Sequence, residues 1–247
     1  MTGVAVVTGG SRGIGARAAV RLAVAGWTVC VGYRTERAAA EDVVRSCEIA
    51  GGRAVAVAAD VSVAADVAHL FAAADELGPL RVLVNNAGIV GHRTRVDQLD
   101  ADRITRMLAV NVTGTLLCAG EAIRRMSTRH GGEGGAIVNV SSAAARLGSP
   151  GEYVDYAASK GAVDTLTVGL AREVAAEQVR VNAVRPGIID TAIHARGGQP
   201  DRVAQLGPSI PMGRAGTAEE VAETIAWLCS PAASYVTGAL VDVSGGR

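Results

Sequence analysis

Short apolar runs, most of them rich in valine, recur along this chain. They cover residues 4–8, 28–33, 54–58, 81–85, 136–141, 179–184 and 239–243. Hydrophobicity within most of them is continuous rather than alternating. A strand that faces solvent on one side alternates, whereas a strand covered on both faces of a parallel sheet does not. Amphipathic stretches lie between the runs, over residues 13–25, 37–50, 63–77, 101–127, 156–178 and 217–229. Strands alternating with helices through short links predict an α/β fold, a doubly wound parallel sheet of about seven strands with helices on both faces. No linker or internal repeat interrupts the pattern, so residues 1–247 are expected to form a single domain. Residues 190–213 are less regular, with Gly197-Gly198, Pro200, Pro208 and Pro211. A Gly/Pro-punctuated stretch of this length is expected to act as a lid over a ligand.

Composition excludes several classes. Formal net charge is zero and aromatics make up 3% of the chain. Neither a nucleic-acid binder nor an anionic-membrane binder fits that balance. No apolar run approaches spanning length, and Val4-Ala5-Val6-Val7-Thr8 reads at once as a strand, with no leader expected before it. Cys30, Cys47, Cys118 and Cys229 form no CxxC, and are expected to be free buried thiols in a cytoplasmic protein. His69, His92, His130 and His194 have no metal-ligand spacing, so no metal is expected. Gly131-Gly132-Glu133-Gly134-Gly135 follows Arg124, Arg125 and Arg129 and reads as a solvated turn that ends a helix.

The turn after the first strand is Thr8-Gly9-Gly10-Ser11-Arg12-Gly13-Ile14-Gly15. It opens a helix, which is the setting a pyrophosphate needs: glycines let the backbone approach, and the helix N-terminus faces the anion. Gly9, Ser11, Arg12, Gly13, Ile14 and Gly15 are therefore candidate cofactor contacts. The second strand ends in Tyr33-Arg34, where an NAD enzyme usually carries an acid for the ribose hydroxyls. Arg34 and Arg12 have fork geometry suited to a 2′-phosphate, so NADP(H) is favoured over NAD(H). Arg34 as a plain surface charge is the competing reading.

Of 24 Lys plus Arg, Lys160 is the one lysine. It lies four residues after Tyr156 in Tyr156-Ala157-Ala158-Ser159-Lys160, on the same helix face. An ammonium beside a phenol favours the phenolate, so a tyrosine acid/base with a lowered pKa is expected. Tyr153 has no such partner, because Ala157 stands four residues on.

Taken together with Asn85-Asn86-Ala87-Gly88, Asn111-Val112-Thr113-Gly114, Ser142 and Pro186-Gly187-Ile188-Ile189-Asp190-Thr191, these elements resemble the short-chain dehydrogenase/reductase family over essentially the whole chain. The string Gly148 to Tyr156 resembles a bacterial, glucose-dehydrogenase-like subgroup. The resemblance implies a Rossmann-type fold and an NADP(H)-dependent oxidoreductase that interconverts a secondary alcohol with a ketone or aldehyde. Tyr156 would be the general acid in reduction, and Lys160 would hold the nicotinamide ribose and lower the tyrosine pKa. Ser142 would bind the substrate oxygen, and Asn111 would hold a water in a proton relay. Asp60 and Val61 would contact adenine. Tyr33 is a further candidate cofactor contact beside Arg34, and Asn86, Ala87 and Gly88 would line the adenosine and its ribose. Pro186 and Gly187 would border the nicotinamide, with Ile189 and Thr191 near its carboxamide and phosphate. The Ser142-to-Tyr156 spacing is one residue longer than is usual in the family, which leaves Ser141 as the alternative to Ser142. A 3-oxoacyl-carrier-protein reductase, served by a basic patch of Arg93, Arg95 and Arg146, and a sugar 1-dehydrogenase are alternative activities. A non-catalytic NADP-binding protein is the alternative from another class. The substrate is expected to be a small carbonyl or alcohol, bound by residues 90–98, 143–153 and 190–213, with Ala143, Leu147 and Ile193 as apolar lining. The resemblance also implies a homotetramer.

Overall fold

The computed structural model describes residues 3–192 and 197–247. Among them, β1 (Val4–Val7), β2 (Thr28–Tyr33), β3 (Arg53–Ala58), β4 (Leu80–Asn85), β5 (Gly135–Val140), β6 (Val179–Pro186) and β7 (Leu240–Val243) form one sheet. Every neighbouring pair is parallel and the order is β3-β2-β1-β4-β5-β6-β7. The fold is the expected Rossmann-type doubly wound sheet. Its direction of winding reverses between β1 and β4.

The helices are α1 (Gly13–Val24), α2 (Arg37–Ile49), α3 (Ala64–Asp75), α4 (Ala101–Leu108), α5 (Gly114–Met126), α6 (Ala144–Leu147), α7 (Val154–Val174), α8 (Arg202–Leu206) and α9 (Ala218–Cys229). Successive strand side chains point to opposite faces, and both faces are filled. Ala5, Val7, Val29 and Val31 pack with Leu22 of α1, Val43 of α2 and Ile225 of α9. Val4, Val6, Cys30 and Leu83 pack with Phe71 of α3, Met126 of α5 and Val174 of α7. This double burial is why the strands read as unbroken apolar runs. Val4, Val6 and Val7 are fully buried, each contributing about 2 kcal/mol of transfer free energy.

The stretch 101–127, read from periodicity as one helix, is divided. A π-helical turn, Ala109–Thr113, separates α4 from α5. Its cause is Asn111, whose amide leaves the helix surface to bond the main chain of Ile89, accepting from its N–H at 2.8 Å and donating to its carbonyl at 3.0 Å. Such turns accommodate an extra residue inside a helix. In the last turn of α5, Arg125 reaches Asp75 on α3 with bonds of 2.7 and 2.8 Å and also donates to the Glu121 carbonyl of its own helix at 3.1 Å.

The four cysteines are free and buried. Burial pushes the thiols of Cys30, Cys118 and Cys229 up to about 12 and that of Cys47 to about 11. None of the helices in the described residues is long and apolar enough to cross a membrane.

Candidate active site

The carboxyl ends of the strands, where the winding reverses, border a cavity of about 670 Å³. A crevice at this switch point is where open α/β sheets bind ligands. The glycine turn forms one wall, and its shape is fixed by residues from the end of β4. Thr8 accepts at Oγ1 from the N–H groups of Asn86 and Ala87, each at 3.0 Å. The Asn86 amide donates to the carbonyls of Thr8 and Gly9 at 3.0 and 2.9 Å. The fit leaves no room for side chains. A Cβ on Gly9, whose φ is +60°, would lie 2.8 Å from the Ala87 Cα. One on Gly15 would lie 2.3 Å from Asn86 Nδ2. Ser11, Arg12, Gly13 and Ile14 line the cavity beside Gly9, Asn86, Ala87 and Gly88. Gly15 does not line it; its role is to admit Asn86.

At the tips of β2 and β3, Arg34, Asp60 and Val61 line the cavity, together with Glu36. Arg12 pairs with Glu36 at 2.8 Å, and Arg34 stands 3.7 Å from Asp60. The Asp60 carboxylate is also anchored, accepting from the Ser62 hydroxyl at 2.6 Å and backbone N–H at 3.0 Å. Tyr33, expected among the cofactor contacts, is not on the cavity wall. Strand alternation turns it with Val29 and Val31 toward the α1–α2 side, where it packs against that core.

Ser142, Tyr156 and Lys160 come together on the cavity wall. Lys160 is 5% exposed; its Nζ donates to the Val140 carbonyl at 2.7 Å and lies 5.7 Å from the centre of the Tyr156 ring. Burial lowers its pKa to about 8, against a raising pull from Asp164. The phenol differs from expectation. Burial pushes the Tyr156 pKa above its ordinary value, and a hydrogen bond with Ser142 pulls it back only in part. The lowering expected from Lys160 does not appear; desolvation penalises the phenolate, and Ser142 alone opposes it. The two serines also separate: the Ser141 hydroxyl donates to the Lys160 carbonyl at 3.2 Å, inside the protein, while Ser142 bonds the phenol and caps the N–H of Ala144 at 3.1 Å.

Asn111 is fully buried and does not line the cavity. Besides Ile89, its amide donates to Ser159 Oγ at 3.0 Å. Its side chain therefore braces the end of the 86–89 segment and the first turns of α7, and leaves no amide group directed at solvent. A second brace was not visible in the sequence. Arg103 of α4 grips Asp155, the neighbour of Tyr156, through bonds of 2.8 and 3.2 Å, and also donates to the His92 carbonyl and Thr94.

Pro186, Gly187, Ile189 and Thr191 line the cavity after β6. Ala143 and Leu147 face it too, whereas Ile193 and His194 lie outside the described residues. Sequence reasoning also missed Thr8 as the receiver of two N–H groups and Arg247 as a wall residue; Glu152 and Arg202 lie within the expected substrate-binding ranges, but their pairing was not foreseen. Arg202 and Glu152 pair at 2.8 Å across 50 residues, a separation at which no spacing rule operates. Among the described residues no group of three or more His, Cys, Asp or Glu could hold a metal ion.

A family model described as enoyl-(acyl carrier protein) reductase matches residues 9–247. The chain is 56% identical over 245 residues to the uncharacterised oxidoreductase YgfF of Escherichia coli, covering 99% of each. A short-chain type dehydrogenase/reductase from Mycobacterium marinum superposes with a TM-score of 0.92 at 34% identity, covering 99% of this chain and 94% of that one. A 3-ketoacyl-(acyl-carrier-protein) reductase from Brucella melitensis, solved with NADH, superposes with a TM-score of 0.91 at 36% identity, covering 99% and 98%. With a braced glycine turn at one end of the cavity and a serine, tyrosine and lysine at the other, the chain belongs to the short-chain dehydrogenase/reductase family of oxidoreductases.

Proposed function

We propose that this oxidoreductase interconverts a secondary alcohol and a ketone, or an aldehyde, using NADP(H), with Tyr156 as the acid and base. The observation that carries the reading is the junction of Tyr156, Ser142 and Lys160 on one wall of the cavity that the glycine turn also borders. The nicotinamide supplies the hydride when bound. Tyr156, kept protonated by burial at neutral pH, gives its proton to the carbonyl oxygen. Ser142 donates a hydrogen bond to that same oxygen and so stabilises the charge developing there. Lys160, charged below about pH 8, steadies the phenolate left behind. Asn111 and Arg103 act one step back, by fixing the start of α7.

The residues fit a dinucleotide. Gly9 lines the cavity without a side chain, and Arg12, the residue that opens α1, makes no side-chain capping bond to its first turn. Gly9, Ser11, Gly13 and Ile14 would hold the pyrophosphate, and Lys160 the nicotinamide ribose. Asp60 and Val61 would hold adenine, with Pro186, Gly187, Ile189 and Thr191 around the nicotinamide. Arg34, half exposed at the tip of β2, and Arg12 support a 2′-phosphate. Residues around 190–213 would close as a lid. The carrier-protein alternative is not favoured: Arg93, Arg95 and Arg146 each already face a carboxylate, Glu152 at 3.1 Å, Asp97 at 3.0 Å and Asp242 at 3.9 Å. We also read the protein as a cytoplasmic homotetramer.

A panel of ketones and aldehydes, followed by loss of reduced-nicotinamide absorbance with NADPH beside NADH, tests the proposal. Turnover with a preference for NADPH is expected. No turnover of any carbonyl would overturn the activity, and a preference for NADH would overturn the cofactor assignment. In Arg34→Ala the preference for NADPH should fall by about tenfold or more, as a charged phosphate contact is lost.

A further inference from the structure

The part of the cavity wall built by the loop before α7 and by α8 is charged where its surroundings are apolar. Glu152, Tyr153, Arg202 and Arg247 line it, beside Ala143 and Leu147. Arg202 donates to Glu152 at 2.8 Å and to Gln199 at 2.5 Å, and its guanidinium lies over the Tyr153 ring at 5.4 Å. With 12% of its side chain exposed, it is a fixed, planar fork.

Resting on the reductase reading above, we propose that the substrate carries a carboxylate distal to its reacting carbon, and that Arg202 and Arg247 bind it. The substrate class is thus an oxo acid and its hydroxy acid. Three observations support this. First, two guanidinium side chains, Arg202 and Arg247, stand on this wall against one carboxylate side chain, Glu152. The other wall carboxylates, Glu36 and Asp60, face Arg12 and Arg34 at the nucleotide end. Second, Glu152 has a second cationic partner, Arg93, at 3.1 Å on the outer side. Burial raises the Glu152 carboxyl, yet Arg202, Arg93 and Arg247 hold it below the ordinary range. When Arg202 turns to a substrate carboxylate, Glu152 keeps Arg93 and no buried charge is stranded. Third, Nη1 of Arg247 is buried without a hydrogen-bond partner among the described residues, so those residues leave part of this guanidinium's donor capacity unsatisfied. A carboxylate accepts from two such forks at once.

The test compares probes that differ in charge alone. NADPH-dependent reduction of 4-oxopentanoate and 4-oxocyclohexanecarboxylate is measured beside that of their methyl esters, in the wild-type protein, Arg202→Gln, Arg202→Lys and Arg247→Gln. We expect kcat/KM for at least one acid to exceed that of its ester by about tenfold or more, and the ratio to fall toward unity in Arg202→Gln. Arg202→Lys should retain part of the ratio. The ratio within one variant cancels any general loss from a disturbed fold. Equal or better reduction of the esters would overturn the carboxylate site and leave the reductase reading standing. So would an acid preference that survives both glutamine variants. Where neither acids nor esters turn over, calorimetric titration of the acids into the NADPH complex decides: binding lost in Arg202→Gln upholds the site, and no binding overturns it.

Discussion

Tyr156 keeps its proton because burial disfavours the phenolate, and Lys160 gives up its own more readily for the same reason. The pair therefore divides by pH. Below about 8 the lysine is charged and the tyrosine neutral, the arrangement that protonates a carbonyl. As pH rises through about 8 the ammonium is lost while the phenol is still protonated, so kcat for reduction should fall on that limb of a pH–rate profile. A profile flat through that range would contradict the assignment. Tyr156→Phe should lower turnover by roughly a thousandfold, with NADPH affinity retained in a fluorescence titration. Lys160→Arg should fail as well, although charge is conserved. Nζ donates to the Val140 carbonyl at 2.7 Å as a compact point charge, a placement that a longer, planar guanidinium does not reproduce. The lone lysine and its tyrosine were legible from spacing. The direction of the phenol shift was not, because desolvation depends on walls contributed by distant segments. Nor could spacing decide between Ser141 and Ser142: adjacent residues at a strand end face opposite ways, and only the packed position of α7 shows which one it takes up.

At the scale of elements, the site depends on braces between segments. Gly15→Ala would drive a methyl group into Asn86 Nδ2, 2.3 Å away, so the turn must open and cofactor affinity should fall sharply, as read by titration with NADPH. Asn86→Ala removes the bonds to Thr8 and Gly9 and should weaken binding in the same direction. Arg103→Ala leaves Asp155, with a side chain 4% exposed, charged and unpaired beside Tyr156. Destabilisation of about 3 kcal/mol is expected in denaturant unfolding, with kcat reduced because the first turn of α7 is no longer held. The strands were the most readable elements, since two-sided burial writes itself as continuous valine. The π-helical turn at Ala109–Thr113 was not readable. Its cause is a pair of bonds from Asn111 to a segment more than twenty residues away, and no glycine or proline marks the break.

At the scale of the whole molecule, the thiols offer a test of how tightly the two cores close. All four are buried and raised to about 11 or 12. A neutral thiol reagent should modify none of them in the folded protein and all four after denaturation; rapid labelling of any would show that its core opens locally. If the proposed homotetramer forms, light scattering should give about four times 25.0 kDa, and a monomer mass would overturn it. Exposed apolar side chains on α4 and α5, Ile104, Leu108 and Leu116, favour association. The strand order has a consequence for how the protein comes into being. Thr8 meets Val84 across 76 residues, and Gly9 meets Asn86 across 77. A growing chain that has completed β3 therefore possesses the glycine turn but nothing to set its shape. Capacity to hold a nucleotide is acquired late and in one step, when β4 slots in beside β1. A ribosome-bound fragment truncated before β4 should show no nucleotide affinity at all, however well its first strands have paired.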